Sequence, residues 1–93
     1  MLSFLPKTPS QMQDDIKAKF RVRRKALKLT QEQLSSKSGV SLGSLKRFES
    51  SGQISFESLL KLAFVLECLE DFDGLCCEVE EKFESIEEIV NGR

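Results

Sequence analysis

The sequence predicts an all-α fold, a compact bundle of about five helices. Hydrophobic residues make up 40% of the chain and charged residues 31%, and there are only five glycines and two prolines. Apolar residues also recur at helical spacing between residues that typically begin and end helices. Because 93 residues suffice for one core but not two, we expect one domain, residues 10–84, between tails at residues 1–9 and 85–93.

The first predicted helix runs from Ser10 to Lys28. It follows Thr8 and Pro9, and proline suits the first position of a helix. Its buried side is predicted from apolar residues near helical spacing, Met12, Ile16, Phe20 and Leu27. The other side is rich in Lys and Arg.

A short second helix is predicted over residues 31–38. Thr30 is a good N-cap, Gln33 completes a capping box, and Gly39 is a natural stop. Val40 then fills a short turn to the next helix.

The third helix is predicted to begin after Ser41, to carry Leu45 and Phe48 on its buried side, and to end at residues 50–52. Two helices separated by about three residues must cross steeply.

A fourth helix is predicted after Ser55, with a dense apolar run over residues 59–66 that forms the centre of the core. Residues 71–84 predict a less regular fifth helix, and Ser85 is expected to cap a last turn through residues 86–90.

Residues 30–50 read TQEQLSSKSGVSLGSLKRFES and resemble the helix-turn-helix of Cro and phage-repressor proteins, the XRE family. The likeness extends from about Phe20 to Leu69 and implies a fold of the lambda-repressor-like DNA-binding type, with the motif at residues 30–49. It also has a physical basis, because Gly39 permits positive φ and Leu34, Val40 and Leu45 pin the helices together.

The resemblance implies that the third helix enters the major groove of double-stranded DNA and reads an operator. The predicted DNA-binding residues are Gln31, Ser41, Leu42, Gly43, Ser44, Lys46 and Arg47. Family members often carry long polar residues at the positions of Leu42 and Gly43, so hydrogen-bond readout there is lost. We therefore expect Leu42 to meet a thymine methyl and Arg47 to pair with guanine, with a phosphate contact as the alternative for Arg47.

Supporting phosphate contacts are expected from Thr30, Arg24 and Lys28. Arg24 and Lys28 belong to a basic cluster with Arg21, Arg23 and Lys25 that adjoins the motif, although a merely solvated helix face is equally compatible with it. Glu49 ends a DNA-facing helix, so we expect it to turn inward to a basic partner, Arg21 or Arg24.

Charge is divided unevenly along the chain, although the net charge is only -1. Residues 1–47 hold eleven Lys and Arg against three acidic residues, and residues 48–93 hold three against twelve. The first part therefore suits contact with phosphates.

Repressors of this class commonly act as homodimers, so an apolar surface for a second copy is expected in the region of residues 64–83. The candidates are Phe72, Leu75, Cys76 and Val79. The layout after the motif also looks like antitoxin-type regulators paired with HipA-like kinase toxins, which would imply such a toxin as a partner.

Several other classes are excluded or disfavoured. There is no histidine and no phosphate-binding glycine-rich loop, so neither an enzyme, a metal site nor a cofactor is expected. The three cysteines predict free thiols, and no apolar stretch approaches a membrane span, so a cytoplasmic protein is expected. A protein-interaction adaptor that uses the same fold without specific DNA binding is the alternative function.

Overall fold

The computed structural model describes residues 6–77, in which four α-helices precede a 3-10 helix. The α-helices are α1 (Pro9–Ala26), α2 (Gln31–Ser38), α3 (Leu42–Ser51) and α4 (Phe56–Val65), and the 3-10 helix is Leu69–Gly74. This part of the chain contains no strand, and the predicted all-α bundle of about five helices is confirmed. The predicted domain limit at residues 84 and 85 lies outside the described residues.

Each α-helix begins at a cap supplied by its own local sequence. Thr8 and Thr30 form capping boxes with glutamines three residues later, and Ser41 and Ser55 each accept a hydrogen bond from a first-turn N–H. These caps satisfy backbone donors that the helix itself leaves unpaired. The predicted starts of α2, α3 and α4 are confirmed, whereas α1 begins one residue before Ser10 and ends two residues before Lys28.

The turn between α2 and α3 depends on one left-handed residue. Gly39 has φ of 81° and donates its N–H to the carbonyl of Ser35. The hydroxyl of Ser35 in turn donates to the carbonyl of Val40 at 2.6 Å, and the Val40 side chain is buried. The predicted role of Gly39 is confirmed.

The core lies where α2, α3 and α4 meet the middle of α1. Phe20 and Phe48 stack edge to face with ring centroids 5.6 Å apart. The buried apolar residues are Phe20, Leu34, Val40, Leu45, Phe48, Leu62, Ala63, Leu66 and Cys68. The three motif residues that were predicted to hold the helices together are therefore confirmed as core residues.

Three apolar residues expected in the core are exposed instead. Met12 and Leu27 lie near the ends of α1, which has 18 residues against the 10 of α3 packed on it. Phe64 lies on the outer side of α4, opposite Leu62 and Leu66 on the helical circumference.

The predicted fifth helix over residues 71–84 is wrong in its described part. The 3-10 helix begins earlier, at Leu69, and ends at Gly74. Cys76 has φ of 63°, a left-handed conformation that interrupts any helix passing through it. Residues 79 and 83 and the predicted last turn at residues 85–90 lie outside the described residues.

No helix within residues 6–77 combines the length and the apolar character that crossing a bilayer requires.

Two glycines offer a matched test of backbone strain. An added Cβ meets nothing within 4 Å at either Gly39 or Gly43, but only Gly39 has positive φ. We expect Gly39→Ala to lower the free energy of unfolding by about 1–2 kcal/mol, and Gly43→Ala to raise it by about 0.5–1 kcal/mol because alanine favours helix. Urea unfolding of both variants measures this, and shifts of the same sign would contradict it.

Candidate nucleic-acid interface

A buried ion pair joins α1 to the end of α3. Arg24 donates from Nε and Nη2 to the two carboxylate oxygens of Glu49 at 2.7 and 2.9 Å. The side chains of Arg24 and Glu49 are only 9% and 7% exposed. Arg24 also donates to the carbonyl of Leu29, and Gln31 donates its side-chain amide to Glu49. One carboxylate therefore ties together α1, the first residue of α2, and α3.

The charge of Glu49 is held in place by these donors. Burial by itself raises the pKa of a carboxyl group, but the hydrogen bonds from Arg24 and Gln31, and the charges of Arg24 and Arg21, hold the pKa of Glu49 below its ordinary value. The carboxylate therefore stays ionised and paired. The expectation that Glu49 turns inward to Arg24 is confirmed.

Arg24 was expected to contact phosphate, and the structure contradicts that expectation. Its guanidinium is buried, and three of its five N–H donors are bonded to Glu49 and Leu29. Arg24 is therefore not part of the exposed basic face of α1.

Other cations of α1 bind the carboxyl ends of neighbouring helices. Arg23 donates to the carbonyls of Leu66 and Glu67 at the end of α4, and Lys17 donates to the carbonyl of Ser50 in the last turn of α3. Positive charge at these ends satisfies carbonyls that lack a partner within the helix. Arg21, Lys25 and Lys28 are exposed and have no ion-pair partner among the described residues.

The outer side of α3 carries positive charge and no acidic group. Lys46 and Arg47 are exposed there, together with Gly43 and Ser44. Leu42 is half-buried, so only part of its side chain faces outward. Ser41 is exposed, but its hydroxyl accepts the backbone N–H of Ser44 as the helix cap.

Two grooves flank the outer side of α3. The first, of about 450 Å³, is lined by Arg21, Arg24, Thr30, Gln31, Lys46, Glu49 and Ser50. Its floor is the neutral Arg24–Glu49 pair, and Arg21 and Lys46 supply unpaired positive charge at its sides. The second, of about 230 Å³, places Arg47 among hydroxyl and amide groups of the following loop and α4.

The supporting residues are placed as follows. Thr30 is exposed and its hydroxyl caps α2, and Lys28 is exposed beyond the end of α1 with φ of 61°. Gln31 is half-buried, with one amide donor directed to Glu49. The phosphate contacts of Thr30 and Lys28 and the base contacts of α3 stay predictions.

Three of the four predicted dimer candidates lie within the described residues. Phe72 is half-buried and packs against the core, so it is not the spare apolar surface that was expected. Leu75 and Cys76 are exposed, and Val79 lies outside the described residues.

Some groove residues were absent from the predicted contacts. Arg21 belongs to a row with Lys17 and Lys25 at four-residue spacing, a signal that the sequence does contain. Ser55 and Ser58 line a groove with Arg47 because the loop after α3 brings the start of α4 next to it, and no local pattern predicts that proximity.

A capped helix, a left-handed glycine and a second, basic helix together define a helix-turn-helix domain of DNA-binding type. The chain belongs to the XRE-type helix-turn-helix family, whose pattern matches residues 20–71. This is a family of DNA-binding transcription regulators that are not typically enzymes.

No curated protein is significantly similar to the chain. A search of solved structures likewise found no significant match. The narrower likeness to antitoxin-type regulators stays a prediction.

The ion pair predicts a defined acid response. Because the folded pKa of Glu49 is lowered from 4.5, the pair stabilises the fold above that pH, and the stabilisation is lost as pH falls through the folded pKa. We expect Glu49→Gln to be less stable at neutral pH and to lose less stability on acidification than the unsubstituted protein.

Urea unfolding at neutral and acid pH measures both effects. Asp14→Asn is the control, since Asp14 forms only an exposed pair with Lys17 at 3.5 Å and such pairs contribute at most about 1 kcal/mol. Arg24→Ala is expected to cost about 3–5 kcal/mol, because it leaves a buried carboxylate unpaired. A response to acid that is identical in Glu49→Gln and the unsubstituted protein would contradict the assignment.

Proposed function

We propose that this protein is a sequence-specific repressor that inserts α3 into the major groove of operator DNA. The observation that carries the proposal is the charge of α3. Its single acidic residue, Glu49, is turned inward and paired with Arg24, while Lys46 and Arg47 are exposed. The side of α3 that would meet DNA is therefore free of repulsion from phosphates.

The proposed readout is chemically simple. Arg47 pairs with guanine through two hydrogen bonds, Leu42 contacts a thymine methyl, and Ser44 hydrogen-bonds a base edge. Gly43 has no side chain, which lets α3 approach the groove floor closely. Sequence-dependent DNA shape supplies further discrimination at positions that no side chain reaches.

Phosphate contacts come from both sides of the first groove. Lys46 and Arg21 supply the charge, and Gln31, held by Glu49, offers its remaining amide groups at the start of α2. Thr30 and Lys28 extend this contact along one strand. These groups position the domain and do not themselves select a sequence.

A repressor of this kind acts where the DNA is, so we assign it to the cytoplasm. Two copies on two half-sites about 34 Å apart match the helical repeat of DNA, and we propose a homodimer. The likeness of residues 48–75 and 83–89 to antitoxin-type regulators is the basis for a further proposal, that a HipA-like kinase toxin is a partner.

The readout is tested by selecting duplexes from a random library and comparing variants on the selected site. We expect Arg47→Ala to reduce discrimination against the mismatched base by about 1–3 kcal/mol. Lys46→Ala should weaken binding to all duplexes alike and lower the salt slope by about 1.

Lys19→Ala is the matched control for these two variants. Lys19 is exposed and lines a groove with Val22 and Cys68 that contains no residue of α3. Duplex affinity that does not change with salt would contradict DNA binding and favour the adaptor function.

Gly43→Ala separates stability from function. The variant is expected to be more stable than the unsubstituted protein but to bind the selected duplex less tightly, because the added methyl stands between α3 and the groove floor. Fluorescence anisotropy measures the affinity. Unchanged or tighter binding would contradict close approach at Gly43.

A further inference from the structure

The outer face of α4 is an apolar surface that no element in the described part of the chain covers. We define it as Phe56, Glu57, Leu60, Lys61 and Phe64. Phe56 is 62% exposed and Phe64 is 70% exposed. Exposed aromatic residues grouped in this way typically mark an interaction surface.

This face is a groove with basic and acidic edges. With Lys37, Ser38 and Val65 it encloses about 440 Å³. None of these residues belongs to α3, so DNA held by α3 does not account for the exposed rings. The core side of α4 is already filled by Leu62, Ala63 and Leu66.

We propose that the outer face of α4 binds the same face of a second copy of this chain around a two-fold axis. The argument rests on charge complementarity. Glu57 and Lys61 lie one helical turn apart beside the rings, with side chains 80% and 49% exposed, and their nearest charged atoms are 3.5 Å apart.

Two antiparallel copies of α4 that cross near Leu60 bring these opposite charges together across the axis. Phe56 then lies beside Phe64 of the partner subunit, and Glu57 lies beside Lys61 of the partner subunit. A two-fold axis repeats each contact, so both copies gain the same pair. The face is thus complementary to itself in charge.

The size of the face sets the strength of the dimer. A stable interface buries about 800 Å² on each partner, whereas two phenylalanines bury at most about 300–500 Å². The dimer is therefore weak in free solution. On an operator with two half-sites, each bound copy raises the effective concentration of the other. This effect of operator DNA rests on the proposed function.

Sedimentation equilibrium of the full chain without DNA tests the face independently of DNA binding. We expect the weight-average mass to rise with concentration from monomer toward dimer. Phe64→Ser should keep the chain monomeric. Val22→Ser is the matched control, because Val22 is similarly exposed, at 67%, but lies on α1.

A charge exchange distinguishes a second copy from any other occupant. Glu57→Lys alone and Lys61→Glu alone should each weaken self-association by placing like charges together. The double variant, Glu57→Lys with Lys61→Glu, should restore it. Failure of the double variant to restore dimers would overturn the two-fold arrangement.

A chain that stays monomeric at every concentration would overturn the proposal. If, in addition, Phe64→Ser lowered the free energy of unfolding, another segment of the same chain would be the occupant.

The contribution of the α4 face to DNA binding is measured separately. Phe64→Ser should lower affinity for a duplex with two half-sites and leave affinity for a single half-site unchanged. An equal loss on both duplexes would overturn cooperative binding through α4. Absence of binding by the unsubstituted protein would instead count against the proposed function, and the sedimentation result would stand on its own.

Discussion

The Arg24–Glu49 ion pair is the interaction on which both the fold and the binding surface depend. It connects α1 to α3 through hydrogen bonds that the guanidinium donates to the carboxylate at 2.7 and 2.9 Å. A buried pair of this kind contributes little net stability compared with apolar packing, but breaking it is costly. Its value here is orientation, since it fixes α3 relative to α1 and removes the only negative charge from the outer side of α3.

The cations of α1 consequently form two groups with different contacts. Arg23, Arg24 and Lys17 satisfy carbonyls and a carboxylate inside the protein, and the exposed remainder is available for phosphates. The number of Lys and Arg residues along α1 is therefore larger than the number available to DNA phosphates. The arrangement also explains how a helix with few buried apolar residues, chiefly Phe20, is held firmly against the rest of the domain.

In the proposed mode of binding, α3 contributes few groups that select a base, and its surroundings compensate for this. Gly43 leaves open space, Leu42 is partly covered, and Arg47 lines a groove with polar groups of the following loop and the start of α4. In the proposed mode of binding, affinity from phosphates and selectivity from Arg47 are thus carried by different residues. The apolar outer face of α4 shares no residue with α3, so the proposed association between copies would not compete with the proposed contact to DNA.

The sequence by itself determined whatever depends on near neighbours in the chain: the caps at Thr30, Ser41 and Ser55, the left-handed Gly39, and the spacing that buries Leu34 and Leu45. These features follow from hydrogen bonds and side-chain positions within a few residues. The tertiary structure alone decided that Arg24 is buried, that Phe72 joins the core, and that Phe64 faces outward. Helical periodicity says which residues share a side, but only the packing of distant helices says which side meets the core, a carboxylate or water.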